Sequence, residues 1–194
     1  MKEIKFENWK QPTEEVVNHF ANAFAINFHK DENELKEWFT PEHPFSEDTI
    51  SNRVRRLNAL YHTHLWEEHI KEMVDFLNRE GSAFEDLIHA GDPAAVRKLA
   101  DLENRNCFVF ATKYCSFVEP EKYPIYDSLV AGVLMHFHKQ SPLIDGKLDF
   151  ESIRQNCNYE SFKTIVDEFK KKYGLEKCSY KDIDKFLWLV GKNA

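Results

Sequence analysis

Residues 106–117 read NCFVFATKYCSF, and this stretch decides how the chain folds. Cys107, Phe108, Val109, Phe110, Ala111, Tyr114, Cys115 and Phe117 put apolar or aromatic groups on almost every side of a helix. A helix apolar nearly all round belongs at the centre of a fold, covered by other elements. Its polar strip is Asn106, Thr112, Lys113 and Ser116. Downstream, Pro120 and Pro124 hold Val118–Tyr126 extended, and Asp127 stands where an N-cap belongs before the apolar run Leu129–Phe137.

Further out, the 3.6-residue period recurs with recognisable caps. Tyr159–Tyr173 carries Phe162, Ile165, Val166 and Phe169 on one face and ends at Gly174, while Ser179, boxed with Asp182, opens a last helix through Ile183, Phe186, Leu187 and Val190 to Gly191. Upstream, Asp92 caps a helix that begins with Pro93, and Ser82 with Glu85 makes a capping-box pair after Gly81. Before Gly81, the stripe Trp66, Ile70, Met73, Val74 and Leu77 continues or restarts one capped at Ser46 and carrying Ile50, Val54, Leu57 and Tyr61. Pro12 and Thr13 open a helix with Val16, Val17, Phe20 and Phe24 on one face, and Asp31 precedes a short helix to Phe39, broken by Pro41 and Pro44. No strand alternation persists and no linker divides the chain. The prediction is an all-α fold, a single multi-helix orthogonal bundle over residues 1–194.

Composition agrees. Sixteen Phe, seven Tyr and four Trp make 14% of the 194 residues, too much core-forming material for a disordered chain. Six glycines leave few of the tight turns that many-stranded sheets use. The formal charge of −7 argues against binding nucleic acid over the whole surface, since phosphate contact and counterion release supply most non-specific affinity. Local basic patches remain at Arg53, Arg55 and Arg56 and at Lys170, Lys171 and Lys172, each also readable as a solvated helix face. The start, MKEIKFENWKQ, has no apolar leader, and the longest apolar run, Leu129–Met135, is far short of the ~20 residues of a membrane helix. A soluble cytoplasmic protein that does not engage membranes is expected. Cys107, Cys115, Cys157 and Cys178 are scattered without a CxxC pair and read as reduced, buried thiols.

Nine histidines raise the question of a metal, but His62 with His64 and His136 with His138 are spaced two apart, on different sides of a helix. No metal and no cofactor is expected, because phosphate-loop, dinucleotide and GxSxG patterns are absent too. What remains is Lys113 and Asp127. A lysine in an apolar helix either snorkels to solvent or faces a cleft, where loss of hydration favours the neutral, nucleophilic amine. Aspartate at a helix N-terminus is either an ordinary cap or an anchored carboxylate able to stabilise positive charge and move protons.

The order of buried helix, Lys113, proline-bearing loop and Pro124-Ile125-Tyr126-Asp127 resembles the catalytic region of helix-hairpin-helix DNA glycosylases, the 8-oxoguanine glycosylase type above all. The resemblance covers about 104–136. It implies the helical glycosylase fold, with Lys113 as the Schiff-base nucleophile of a combined glycosylase and abasic-site lyase and Asp127 as the assisting acid. Arg53–Leu65 and Tyr180–Lys192 resemble segments of poorly characterised bacterial proteins sharing that motif. Where the family carries Gly-x-Gly to hold a DNA phosphate, this chain reads ENRNCFVFATK, and only 14 residues separate lysine from aspartate.

Two readings follow. In one, a damaged nucleotide of DNA enters a local pocket lined by Tyr114, Phe117, Tyr123 and Tyr126, and Lys113 attacks its sugar. In the other, the chain is a non-catalytic helical module binding protein or nucleic acid, with Lys113 and Asp127 a structural ion pair. An enzyme of free nucleosides or small glycosides, needing no phosphate-binding hairpin, is a third.

Overall fold

The computed structural model describes residues 11–40, 42–43, 45–102 and 105–193, with the side chains of 27–31 outside that description. The expected breaks at Pro41 and Pro44, the amino-terminal residues 1–10 and residues Glu103 and Asn104 lie outside the described residues. The fold is all-α. Helices α1 (Glu14–Glu37), α2 (Glu47–Tyr61), α3 (Glu67–Ala90) and α4 (Pro93–Ala100) lead into a two-residue antiparallel pair, β1 (Asp101–Leu102) and β2 (Arg105–Asn106). There follow α5 (Phe108–Val118), α6 (Ser128–Gln140), α7 (Phe150–Gln155), α8 (Tyr159–Lys172) and α9 (Tyr180–Lys192).

Several ends are made by the residues the sequence nominates. Ser46 Oγ accepts from Thr49 N at 3.3 Å, Asp92 Oδ1 from Ala94 N at 2.8 Å, and Ser179 exchanges hydrogen bonds with Asp182 in a closed capping box. Two expectations change, and one helix is new. There is no break at Asp31: α1 runs through it, because Leu35 falls five helical turns beyond Val17 and extends the same buried stripe. Gly81 breaks α3 with φ +59°, but Glu85 does not close a box on Ser82, since its carboxylate accepts from Arg53 at 2.9 Å. The short helix α7 has too few residues for its period to be read in the sequence.

One hydrophobic cluster draws on every one of these helices, with Phe20, Phe84, Phe108, Phe110, Phe162, Phe169 and Phe186 fully buried in it. α5 lies inside as expected: from Phe110 to Phe117 every residue is buried, Thr112, Lys113 and Ser116 included. α9 packs against both α1 and α6, and α5 against α4 and α2. No helix among the described residues is long and apolar enough to cross a membrane.

Residues 123–126, in the irregular segment between α5 and α6, are buried, so the backbone there must find partners within the protein. Thr112 Oγ1 accepts from Tyr126 N at 3.1 Å and donates to Val109 O. Tyr159 Oη donates to Pro124 O at 3.0 Å and Lys163 Nζ to Lys122 O at 2.9 Å. Tyr123 and Tyr126 reach outward from it to Asp92 O and Phe150 O. Side chains of α5 and α8 thus fix the direction in which the chain enters α6, and with it the place of Asp127.

Candidate active site

Asp127 is the N-cap of α6: Oδ1 accepts from Leu129 N at 2.9 Å, which leaves Oδ2 turned towards α5. Lys113 Nζ stands 3.5 Å from that oxygen and 4.8 Å from the centre of the Tyr61 ring. The lysine side chain is 4% exposed and the aspartate 24%. This lysine does not snorkel; it ends in a cavity. The cavity, about 260 Å³, is bounded by α1 (Phe24, Glu32), α2 (Leu60, Tyr61), Lys113, Ile125, Asp127 and the α9 residues Asp184, Lys185, Trp188 and Lys192. Lys113 and Asp127 therefore share one concave space, as a joint chemical role would require.

The walls differ in kind. Tyr61, Phe24 and Trp188 are aromatic, Phe24 meeting Trp188 edge to face at 5.6 Å. Around them stand Glu32, Asp127 and Asp184 against Lys113, Lys185 and Lys192. Glu32 is nearly buried, and its carboxylate lies 3.4 Å from Lys36, 3.9 Å from Lys181 and 4.0 Å from Lys185. Burial pushes Lys181 down to about 8, against the pull of Asp184 and Glu32. Burial likewise raises Asp184 to about 6, with the positive charges of Lys181 and Lys113 opposing the rise. The Tyr61 hydroxyl is held well above its ordinary value, chiefly by burial and further by Glu32, Asp184 and Asp127, so it stays protonated at neutral pH. Among the described residues no three His, Cys, Asp or Glu side chains converge as metal ligands.

The four aromatics expected to line a pocket do not line this cavity. Tyr123 and Tyr126 are core residues whose hydroxyls bond to backbone, Tyr123 stacked on Tyr159 at 5.8 Å and Tyr126 packed on Phe108 at 5.1 Å. Tyr114 is fully buried between Phe39 and Phe110. Phe117 stands behind the wall, its ring against Tyr61 at 5.9 Å and under the Lys181 ammonium at 4.2 Å. Nearness in sequence to Lys113 put these residues on the core-facing sides of α5 and its loop. The cavity's rings come instead from α1, α2 and α9.

Both basic patches are also taken up internally. Arg53 is buried and donates to Trp38 O at 2.7 Å, His43 O at 3.1 Å and Glu85 at 2.9 Å. Arg55 pairs with Glu67, and Arg56 lies over the Trp38 ring at 4.7 Å. Lys170 lies over Tyr180 at 4.5 Å, Lys171 is 3.7 Å from Glu168, and Lys172 donates to Pro142 O. The hairpin before α5 is occupied too: Asn106 Nδ2 donates to Arg154 O at 2.8 Å, while its Oδ1 accepts from Phe108 N at 3.0 Å.

Residues 6–122 match a family described as HI_0787_N, N-terminal domain, a stretch that contains Lys113 but ends before Asp127 and Asp184. An uncharacterized protein of Haemophilus influenzae is 31% identical over 147 residues, covering 74% of this chain. The chain spans about 63% of that relative's length. No solved structure matches it.

Proposed function

The chain belongs to the HI_0787_N N-terminal domain family, and for this member of it we propose, on the geometry of its cavity, a DNA glycosylase and abasic-site lyase in which Lys113 is the nucleophile. The observation that carries this reading is the shared cavity: a buried amine 3.5 Å from a carboxylate that backbone bonds hold in place. Lys113 attacks C1′ of the deoxyribose, the base leaves, and the resulting imine permits β-elimination of the 3′ phosphate. Asp127, anchored at the α6 N-terminus, stabilises positive charge developing on the sugar. It needs no reorganisation to do so.

The size of the cavity supports a single guest. Its volume of about 260 Å³ lies just under the range usual for small-molecule sites, roughly 300–1,000 Å³, so it admits one sugar and part of a base. A nucleotide of a polymer must leave its stack to enter, and Tyr61 and Trp188 are among the aromatic side chains that border the space. DNA engages locally at the mouth in this reading, since the arginine and lysine clusters elsewhere have partners of their own. Four buried free cysteines fit a reducing, cytoplasmic setting.

The competing reading is a non-catalytic module in which the pair is structural, favoured by the glycine-free hairpin and the charge of −7. Borohydride trapping separates them. With an oligonucleotide carrying an abasic site or 8-oxoguanine, the enzyme reading expects a covalent adduct with the wild type and none with Lys113→Ala. Absence of adduct in the wild type on both oligonucleotides sinks it in favour of the module.

A further inference from the structure

Three carboxylates border the cavity, and they are not equivalent. Asp127 is committed on both oxygens, one to Leu129 N and one to Lys113. Glu32 is surrounded by Lys36, Lys181 and Lys185. Asp184, on the cavity-facing side of α9, has no hydrogen bond and no ion pair within bonding distance among the described residues. Its influences are longer-ranged: Lys181 from its own helix, Lys113 from α5, Asp127 from the α6 cap and Glu32 from α1, while Tyr61 of α2 and Lys185 and Lys192 of α9 border the same cavity. Asp184 is part-exposed at the cavity wall, and of the three carboxylates it is the one whose oxygens are not committed to a partner.

We propose that Asp184 is the proton acceptor that frees the Lys113 amine, and the donor that later returns the proton to the departing group. The inference rests on Lys113 being the nucleophile. An ammonium has no lone pair, so one proton must leave before attack. Asp127 is a poor acceptor, because accepting would break the pair and weaken the cap that orient it. Asp184 has neither obligation. It takes the proton; the nitrogen lone pair forms the bond to C1′ while the C1′–base bond breaks with its electrons on the base nitrogen; that nitrogen then takes the proton from the Asp184 carboxyl. On an aldehyde, such as an open abasic sugar, the same proton goes to the carbonyl oxygen as the nitrogen–carbon bond forms. Burial holds Asp184 near about 6, so it is ionised at neutral pH yet close enough in acidity to exchange protons readily.

The sign is definite. Acceptance requires the carboxylate, so attack rises with pH through about 6 and levels off above it. The test follows cyanoborohydride trapping against pH for the wild type, Asp184→Asn and Asp184→Glu. An abasic-site oligonucleotide is one probe and 2-deoxyribose 5-phosphate the other, with the adduct located at Lys113 by mass spectrometry. Taking the ratio of wild-type to Asp184→Asn rates removes the reagent's own pH dependence. That ratio is expected to climb about tenfold per pH unit below the Asp184 value and to reach about 100-fold or more on the plateau, with Asp184→Glu restoring the pH-dependent limb. A flat ratio near one, with the adduct still on Lys113, overturns Asp184 as acceptor and leaves the nucleophile intact. No adduct from either probe in the wild type overturns both. Adduct with the free sugar phosphate alone, with the same climb of the ratio, upholds the role of Asp184 and moves the substrate from DNA to a small phosphosugar.

Discussion

The cavity has two walls made on different principles. The α5 to α6 wall is set mainly by uncharged hydrogen bonds between side chains and backbone, Thr112 to Tyr126, Tyr159 to Pro124 and Tyr123 to Asp92, beside the Lys163 ammonium on Lys122 O. The α1 and α9 wall is set by charges facing charges, with Glu32 among three lysines and Asp184 among longer-range neighbours. Neutral bonds persist across pH and hold Asp127 in one place. Charges in a half-desolvated wall respond to pH, which is what proton transfer requires. The wall that positions is thus separate from the wall that titrates, and substitutions in the two must differ in sign as well as size.

Asp184→Asn carries the largest expected effect on stability, and it is a gain. The folded carboxyl near about 6, against 3.8 ordinarily, keeps a proton between about pH 4 and 6 that the unfolded chain has already released. The contribution of Asp184 to stability therefore falls as pH rises through that window, and the loss is complete above it. A shift of about two units is worth up to about 3 kcal/mol, so the variant is expected to be more stable than the wild type by that order at pH 7 and equal to it near pH 4. Urea unfolding at the two pH values reads this directly. A variant no more stable at pH 7 would mean that the α9 wall is not strained. More stable and less active is the behaviour of a residue kept for function.

Thr112→Val acts on the other wall and in the opposite direction. It leaves the Tyr126 amide unpaired in a buried place, at a cost of about 1–3 kcal/mol, with the same loss at pH 4 as at pH 7. The same change frees the approach to Asp127, so trapping on Lys113 is expected to slow beyond what the unfolded fraction explains, by about tenfold or more. A stability loss that varied with pH would erase the distinction between the walls.

The first wall was legible in the sequence and the second was not, for a physical reason. Asp127 before Ser-Leu-Val is a local signal, because capping depends on residues two or three apart, and Lys113 stands out within an apolar helix. Glu32, Tyr61 and Asp184 reach the same cavity from α1, α2 and α9, and no local period reports that meeting. A weaker signal existed in α9: Lys181, Asp184, Lys185, Trp188 and Lys192 form a second stripe at helical spacing, opposite Ile183, Phe186, Leu187 and Val190. A tryptophan within a charged stripe marks a face that is neither core nor plain surface. Reading the aromatics from their nearness to Lys113, rather than from α9, misplaced Tyr114, Phe117, Tyr123 and Tyr126.

The smallest predicted change in stability falls where the two walls touch. Gly191 of α9 sits against the first turn of α6, and a Cβ built there would come within 2.9 Å of Leu129 Cβ, 3.1 Å of Leu129 O and 3.2 Å of Val133 Cγ2. Leu129 is also the residue whose amide caps onto Asp127, so this contact joins the titrating helix to the positioning one. In Gly191→Ala the added methyl must push the helices apart, an overpacking cost of about 1–3 kcal/mol. Replacing a helical glycine by alanine returns about 1 kcal/mol of that. The net loss in urea unfolding is expected to be about 1 kcal/mol, but the displacement separates Asp184 from the Lys113 and Asp127 pair. Trapping should therefore slow more than Asp127 anchoring or global stability alone requires, and the acid limb should weaken while the adduct stays on Lys113. Equal slowing at all pH values would instead assign the contact to the positioning wall alone.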